Sequence, residues 1–252
     1  MKYRTTLSFK IYVFLIIVLT LLAAISPYLP QGFALSAISD KQLPAPRWVI
    51  SLTSALSMLL IYGGLGYVGW RLSYRLNFAN IWDEKVSNRQ RFLLPAFTGA
   101  AIGILFIAID QVLSNFHEMG PLPHPPFPTS LVASLSAGIG EEVIFRLFFI
   151  SFWVWLISHV ILKEKSEKQV FWIVVFFSAL AFAAAHMPSV MMLYGVSSLS
   201  ALAAALLGEI ILLNGILSVV AAYHFRYYGL LAAIGTHFWT DVIWHVIWGG
   251  LG

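Results

Sequence analysis

Cysteine is absent from the sequence, which removes disulfides, thiol nucleophiles and cysteine-ligated metals together. Charge is almost as scarce. Only 10% of the 252 residues are Asp, Glu, Lys or Arg while 60% are hydrophobic, far from the balance a water-exposed surface requires. The charges fall in short clusters, separated by apolar runs long enough to cross a ~30 Å hydrocarbon layer, so the chain reads as an integral membrane protein. Its formal net charge of +4 does not point to nucleic acid, because Lys and Arg gathered between apolar runs are the ordinary topology signal of membrane proteins. No repeat or separate soluble domain is visible, and residues 1–252 are read as one integral membrane domain.

Backbone groups in lipid must be satisfied internally, so each run is a helix and the fold class is all-α. The runs predict a polytopic bundle of seven spans, at 7–28, 48–69, 92–113, 131–162, 170–186, 197–223 and 230–250. The fourth is too long for one straight crossing, and Gly138 and Gly140 interrupt it. It is either one strongly tilted helix or a short entry segment and a helix proper, which would make eight. The first run, Ile11 to Ser26 behind Lys2, Arg4 and Lys10, has the outline of a signal peptide. It continues into Pro27, Tyr28 and Pro30 without a small-x-small cleavage site and is read as an uncleaved span. Pro121 to Pro128 is a loop with no core of its own. On one side of the membrane the count places Lys2, Arg4, Lys10, Arg71, Arg75, Lys85, Arg89, Arg91, Lys163, Lys165, Lys168 and Arg226, against only Lys41 and Arg47 on the other. Positive-inside bias then sets the N-terminus in the cytoplasm and the C-terminus outside, in a multi-pass protein of a bacterial-type plasma (inner) membrane.

An ionisable side chain at hydrocarbon depth costs roughly 2.5 to 3.5 kcal/mol on insertion scales, so such residues are functional candidates. In Gly140-Glu141-Glu142-Val143-Ile144-Phe145-Arg146, Glu142 and Arg146 stand four apart on one helix face and suit an ion pair. Neighbouring helical residues point about 100° apart, so Glu141 projects elsewhere as a free carboxylate, suited to general-base work in a water-poor site. Phe182 and His186 close the fifth run, just before Met187-Pro188. His237 and Asp241 stack on one face of the last run, and His245 extends that stripe by a turn. At ~1.5 Å of rise per residue, Glu141, His186, His237 and Asp241 reach a similar depth on three helices, as a shared buried site requires.

The ordered set Glu-Glu-x-x-x-Arg, Phe-x-x-x-His and His-x-x-x-Asp on successive hydrophobic regions resembles the CPBP family, which holds the type II CAAX prenyl proteases and the bacterial bacteriocin-processing or Abi proteins. The resemblance covers about residues 92–250, and the first two spans add nothing specific to it. It implies an intramembrane endopeptidase acting on a membrane-associated peptide or lipidated protein, prenylated or bacteriocin-like. In that reading Glu141 and His186 activate the water that attacks the scissile carbonyl. His237 and Asp241 polarise or stabilise the oxyanion, and Glu142 and Arg146, with the motif's Phe182, brace the site. The family is traditionally labelled metalloprotease. Glu141, His186 and His237 are the candidate ligands for a divalent metal such as zinc, but the His-Glu-x-x-His helix of soluble zinc peptidases is absent, and a metal-free glutamate-activated water explains the residues equally well.

Two features depart from the prenyl proteases. Asp241 stands where their last motif carries Asn, and a carboxylate donates to an oxyanion only when protonated. The charge-derived orientation also puts the site in the outer half of the membrane, whereas prenyl proteases take cytosolic substrates. Simpler readings stand beside the catalytic one. Glu142 with Arg146 makes a structural ion pair, His186 an interfacial histidine at a helix end, and His237 with Asp241 a packing hydrogen bond. His245, His159, His224, Asp110 and Glu209 match no motif and are read as boundary or packing residues. Trp48, Trp70, Trp172 and Trp248 are read as an aromatic belt. The competing functions are a non-catalytic CPBP-fold scaffold or immunity protein that binds a membrane partner, and a transporter or proton relay, for which the inverted repeats are missing.

Overall fold

The computed structural model describes residues 2–31 and 45–251, with side chains from Thr6 onward. Among them there is no strand, and seven helices are long and apolar enough to cross a membrane: α1 Thr6–Tyr28, α2 Arg47–Arg75, α3 Arg89–Phe116, α4 Thr129–Ile161, α5 Glu167–Leu193, α6 Ala204–Tyr228 and α7 Leu230–Trp248. The fourth is one continuous helix, so the eight-piece alternative fails. Gly138 and Gly140 do not break it. They are contact points, with Gly138 facing the backbone of Phe238 in α7 and Gly140 facing Tyr62 and Leu19. Two further expectations change. Helix α5 runs through His186 and Pro188 to Leu193, so His186 is not at a helix end, and α6 starts at Ala204, later than its apolar run suggested. Lys41, which entered the charge count, lies outside the described residues.

Large apolar side chains such as Phe97, Phe116, Leu60, Phe14 and Phe176 point outward, as helices bathed in lipid require. Association between such helices depends on close packing rather than on water exclusion, and small residues supply it. On α3, Gly99 and Gly103 form the spacing Gly-x-x-x-Gly against α7. A Cβ at Gly99 would stand 2.3 Å from the Thr236 carbonyl oxygen, and one at Gly103 would stand 2.7 Å from Ile243. The Thr240 hydroxyl donates to the Gly99 carbonyl at 3.1 Å across the same seam. Helix α7 is thereby clamped to α3 along one face, and His237 and Asp241 stand on a neighbouring face, about 100° round the helix. The preceding turn is a single residue. Gly229, with φ of +88°, lets α6 reverse directly into α7.

Both helices that supply acids to the site change winding at those acids. Helix α4 passes from α-helical turns ending at Glu141 to π-helical turns over Glu142–Ile150, and α7 does the same after Asp241, over Val242–Trp248. Wider turns of this kind recur where a helix must re-aim side chains at a functional centre. Trp70 is not part of a lipid-facing belt: it is buried, and its indole N–H donates to Asn80 Oδ1 at 3.1 Å.

Candidate active site

The bottom of the site is a buried ion pair. Glu142 and Arg146 are both fully inaccessible, with Arg146 Nε 3.1 Å from Glu142 Oε2. The Arg146 nitrogens make no directed hydrogen bond among the described residues, so charge and stacking hold the guanidinium. Its carbon lies 4.6 Å over the centre of the Phe182 ring, a cation–π contact in a water-free setting. The second Glu142 oxygen, Oε1, lies 2.8 Å from His237 Nδ1. A carboxylate can only accept, so Nδ1 carries the proton and the His237 ring is turned with Nε2 toward the cavity.

Phe182 organises the other histidine as well. Its carbonyl oxygen accepts from His186 Nδ1 at 2.8 Å, which fixes the proton on Nδ1 and leaves a lone pair on Nε2 of the neutral ring. The Phe182 ring stands edge-on to both imidazoles, with centroids 4.9 Å from His186 and 5.8 Å from His237. His186 Nε2 then faces Glu141 Oε2 at 4.0 Å, while His237 Nε2 lies 3.7 Å from the same oxygen and 3.6 Å from Asp241 Oδ2. These separations exceed direct hydrogen bonds and suit a bridging water. The structure thus brings Glu141, His186, His237 and Asp241 together. The first two side chains are about a third exposed (31% and 34%), the last two nearly covered (4% and 11%).

Two cavities meet at this point. One, of about 360 Å³, is lined by Glu141, His186, His237, Asp241, His245 and the loop residues Leu122 to Pro125. The other, of about 1150 Å³, lies between α1, α2 and α4, where Leu19, Met58 and Tyr62 lead to Gly140 and Glu141. Glu141 belongs to both walls.

A family model described as type II CAAX prenyl endopeptidase Rce1-like matches residues 123–243, a stretch that contains every residue of this constellation. That stretch of the chain is similar to this family. Nothing matches among curated proteins, and nothing among solved structures. Seven membrane-length apolar helices together with this similarity suggest a multi-pass membrane protein.

Among the described residues no group of three or more His, Asp or Glu side chains stands close enough to hold a metal ion. Glu141 Oε2 lies 4.0 Å from His186 Nε2 and 3.7 Å from His237 Nε2, while both Nδ1 atoms are hydrogen-bonded away from the cavity.

Several residues around the site escaped the sequence reading. Asp110 and Glu209 are not boundary residues: both are buried, and each contacts the segment between α3 and α4. The Leu122 N–H donates to Asp110 Oδ1 at 2.9 Å, and His117 Nε2 lies 3.2 Å from Glu209 Oε2. Leu122 itself packs among Phe106, Leu213 and Leu217, so the loop has a core after all. His245 pairs with His124 of that loop, Nδ1 to Nδ1 at 2.9 Å. His224 is a buried packing residue beside Thr236 Oγ1 at 2.6 Å, and His159 sits by Glu164 and Glu167 at the α4–α5 turn. The signal for Asp110 and Glu209 was available, since each is a lone acid in an apolar run.

Proposed function

We propose that this protein is an intramembrane endopeptidase that hydrolyses a peptide bond of a membrane-associated substrate, prenylated or bacteriocin-like, with a water held between Glu141 and His186. One observation carries the reading. The unprotonated Nε2 of His186 faces the Glu141 carboxylate across 4.0 Å, and neither group has a proton to offer the other. A water in that gap donates one hydrogen to each and keeps its lone pair for the scissile carbonyl carbon.

As the water oxygen bonds to that carbon, Glu141 takes the proton and charge collects on the carbonyl oxygen. His237, braced at Nδ1 by Glu142, carries a proton on Nε2 and donates it as a hydrogen bond to this oxyanion. Asp241, 3.6 Å from Nε2, steadies that protonated edge. When the intermediate collapses, the C–N bond breaks and Glu141 passes its proton to the departing amine, leaving a new carboxylic acid and a new amine. The buried Glu142–Arg146 pair and Phe182 keep the donors aimed without rearrangement, where a low dielectric strengthens them.

The test is cleavage of membrane-tethered peptides, prenylated and unprenylated, by the full chain in lipid nanodiscs. Glu141→Gln is expected to lower turnover about 10²- to 10⁴-fold, the range of a lost general base, with the melting temperature nearly unchanged because the side chain is a third exposed. A chelator is expected to leave wild-type cleavage intact. Equal inertness of both proteins, with retained binding of a membrane partner, would replace this reading with the CPBP-fold scaffold.

A further inference from the structure

Three groups of the site have their aim fixed by a neighbour. Glu142 holds His237, the Phe182 carbonyl holds His186, and Arg146 holds Glu142. Glu141, on which the hydrolysis reading depends most, has no such partner there. Its Oε2 is buried without a hydrogen bond among the described residues, and faces the two imidazoles at 3.7 and 4.0 Å. The last torsion of a glutamate is broad and roughly two-fold, so none of the described residues of α4, α5 and α7 fixes the plane of this carboxylate. With Oε2 covered, the 31% exposure of the side chain falls on its other oxygen and its stem.

Helix α2 brings a hydroxyl to this edge of the site. Tyr62 lines the larger cavity beside Gly140 and Glu141, and its ring packs on the α4 backbone, with Cε1 3.3 Å from where a Cβ on Gly140 would stand. The hydroxyl is carried by the next ring carbon. It has Glu141 as its charged neighbour and makes no hydrogen bond among the described residues. The winding of α2 supports this aim. Its α-helical turns end at Ser57 and pass into a π-helical turn over Met58–Tyr62, the same change that α4 and α7 make beside their acids. The backbone is pinned there from α1, where the Tyr12 hydroxyl donates to the Gly63 carbonyl. Tyr62 lies outside the matched stretch 123–243.

We propose that Tyr62 is a positioning residue for Glu141: its phenol donates through one bridging water to the Glu141 oxygen that does not face the histidines, and so turns Oε2 toward the attacking water. The inference rests on the protease reading and deepens it by adding a fourth helix to the site. A phenol can donate to a carboxylate without bringing a second charge into the membrane. No direct bond joins the two side chains, and polar groups that line one cavity just beyond contact are bridged in this way. Tyr62 stands behind the base and not at the scissile bond, so its loss is felt in kcat and not in KM.

The test pairs kinetics with a readout that needs no turnover. Tyr62→Phe keeps the ring on Gly140 and removes only the hydroxyl, so its melting temperature should match wild type. Cleavage of membrane-tethered peptides by the full chain in nanodiscs should fall about 10- to 100-fold in kcat with KM within about twofold, the size of one lost hydrogen bond to a charged group. In protein carrying carboxyl-labelled glutamate, the solid-state NMR resonance of Glu141 Cδ is identified by its loss in Glu141→Gln. That resonance should shift in Tyr62→Phe. An unmoved resonance, a kcat within about twofold of wild type, or a loss confined to KM overturns the assignment. A wild type that cleaves nothing while the Glu141 resonance still moves leaves the Tyr62–Glu141 link standing and removes the protease reading instead.

Discussion

Replacing Arg146 by methionine keeps much of its bulk and removes its charge, leaving the Glu142 carboxylate fully buried with His237 as its remaining polar partner. Breaking one side of a buried ion pair costs about 3–5 kcal/mol, and the protonated His237 at 2.8 Å compensates only one of the two Glu142 oxygens. The cation over Phe182 at 4.6 Å adds about 2 kcal/mol in a desolvated setting. Arg146→Met should therefore lose about 5–7 kcal/mol, a large share of the roughly 5–15 kcal/mol that a folded protein has. Glu142→Gln should lose about 3–5 kcal/mol for the reciprocal reason. The double variant should lose only about 1–3 kcal/mol, since no charge is stranded and the Gln oxygen still accepts from His237 Nδ1. The cycle then returns a coupling of several kcal/mol, far above the near-additivity of independent sites. Equilibrium unfolding in bicelles, followed by tryptophan fluorescence, measures all four proteins. A double variant as unstable as the sum of the singles would refute the reasoning, and so would an Arg146→Met within about 1 kcal/mol of wild type.

Asp241→Asn should retain cleavage within about tenfold, because its amide oxygen can still accept from the protonated His237 edge. Asp241→Leu should lose about 10²- to 10³-fold in turnover, and an Asn variant as inactive as the Leu variant would exclude this role and leave only the charge. Gly99→Ala should cost about 1–3 kcal/mol in unfolding measurements, since the new Cβ meets the Thr236 carbonyl at 2.3 Å and α7 must move away from α3. Glu209→Ala strips a partner from buried His117, so hydrogen exchange should speed up in residues 117–128 and not in α3; unchanged exchange in the loop would show that other contacts hold it.

Residue spacing revealed the helices and the four residues of the centre because both depend on local periodicity. An apolar run sets a span, and an i to i+4 pair sets a face, so Glu142 with Arg146 and His237 with Asp241 were readable before any packing was known. What periodicity does not carry is which helix surface meets which. Gly138 and Gly140 look like breakers in isolation, yet α4 runs straight through them, with Phe238 against Gly138 and Tyr62 closely packed on Gly140. The end of α5 was misplaced for a similar reason. Pro188 removes one hydrogen bond, but a helix tolerates that when neighbouring packing continues, and Met187 and Val190 pack on with Leu206 and Ile210. The Pro-rich loop looked coreless because its anchors, Asp110, Glu209 and His245, lie on three other helices.

Phe182 shows how a residue with no ionisable group becomes part of a cluster of ionisable side chains. Its ring shields the Arg146 charge from competing partners, its carbonyl sets the tautomer of His186, and its edge borders His237. Leucine in its place would keep the carbonyl and lose the stacking, so the His186 tautomer would survive while Arg146 would lose its cover. The backbone part of the motif is therefore a property of the helix, and the side-chain part is a property of the charge beneath it. The motif needs an aromatic residue at this position because Glu142 cannot hold its arginine with directed hydrogen bonds alone. Position 182 thus governs the aim of His237 through Arg146 and Glu142, although the phenylalanine itself has no proton to transfer.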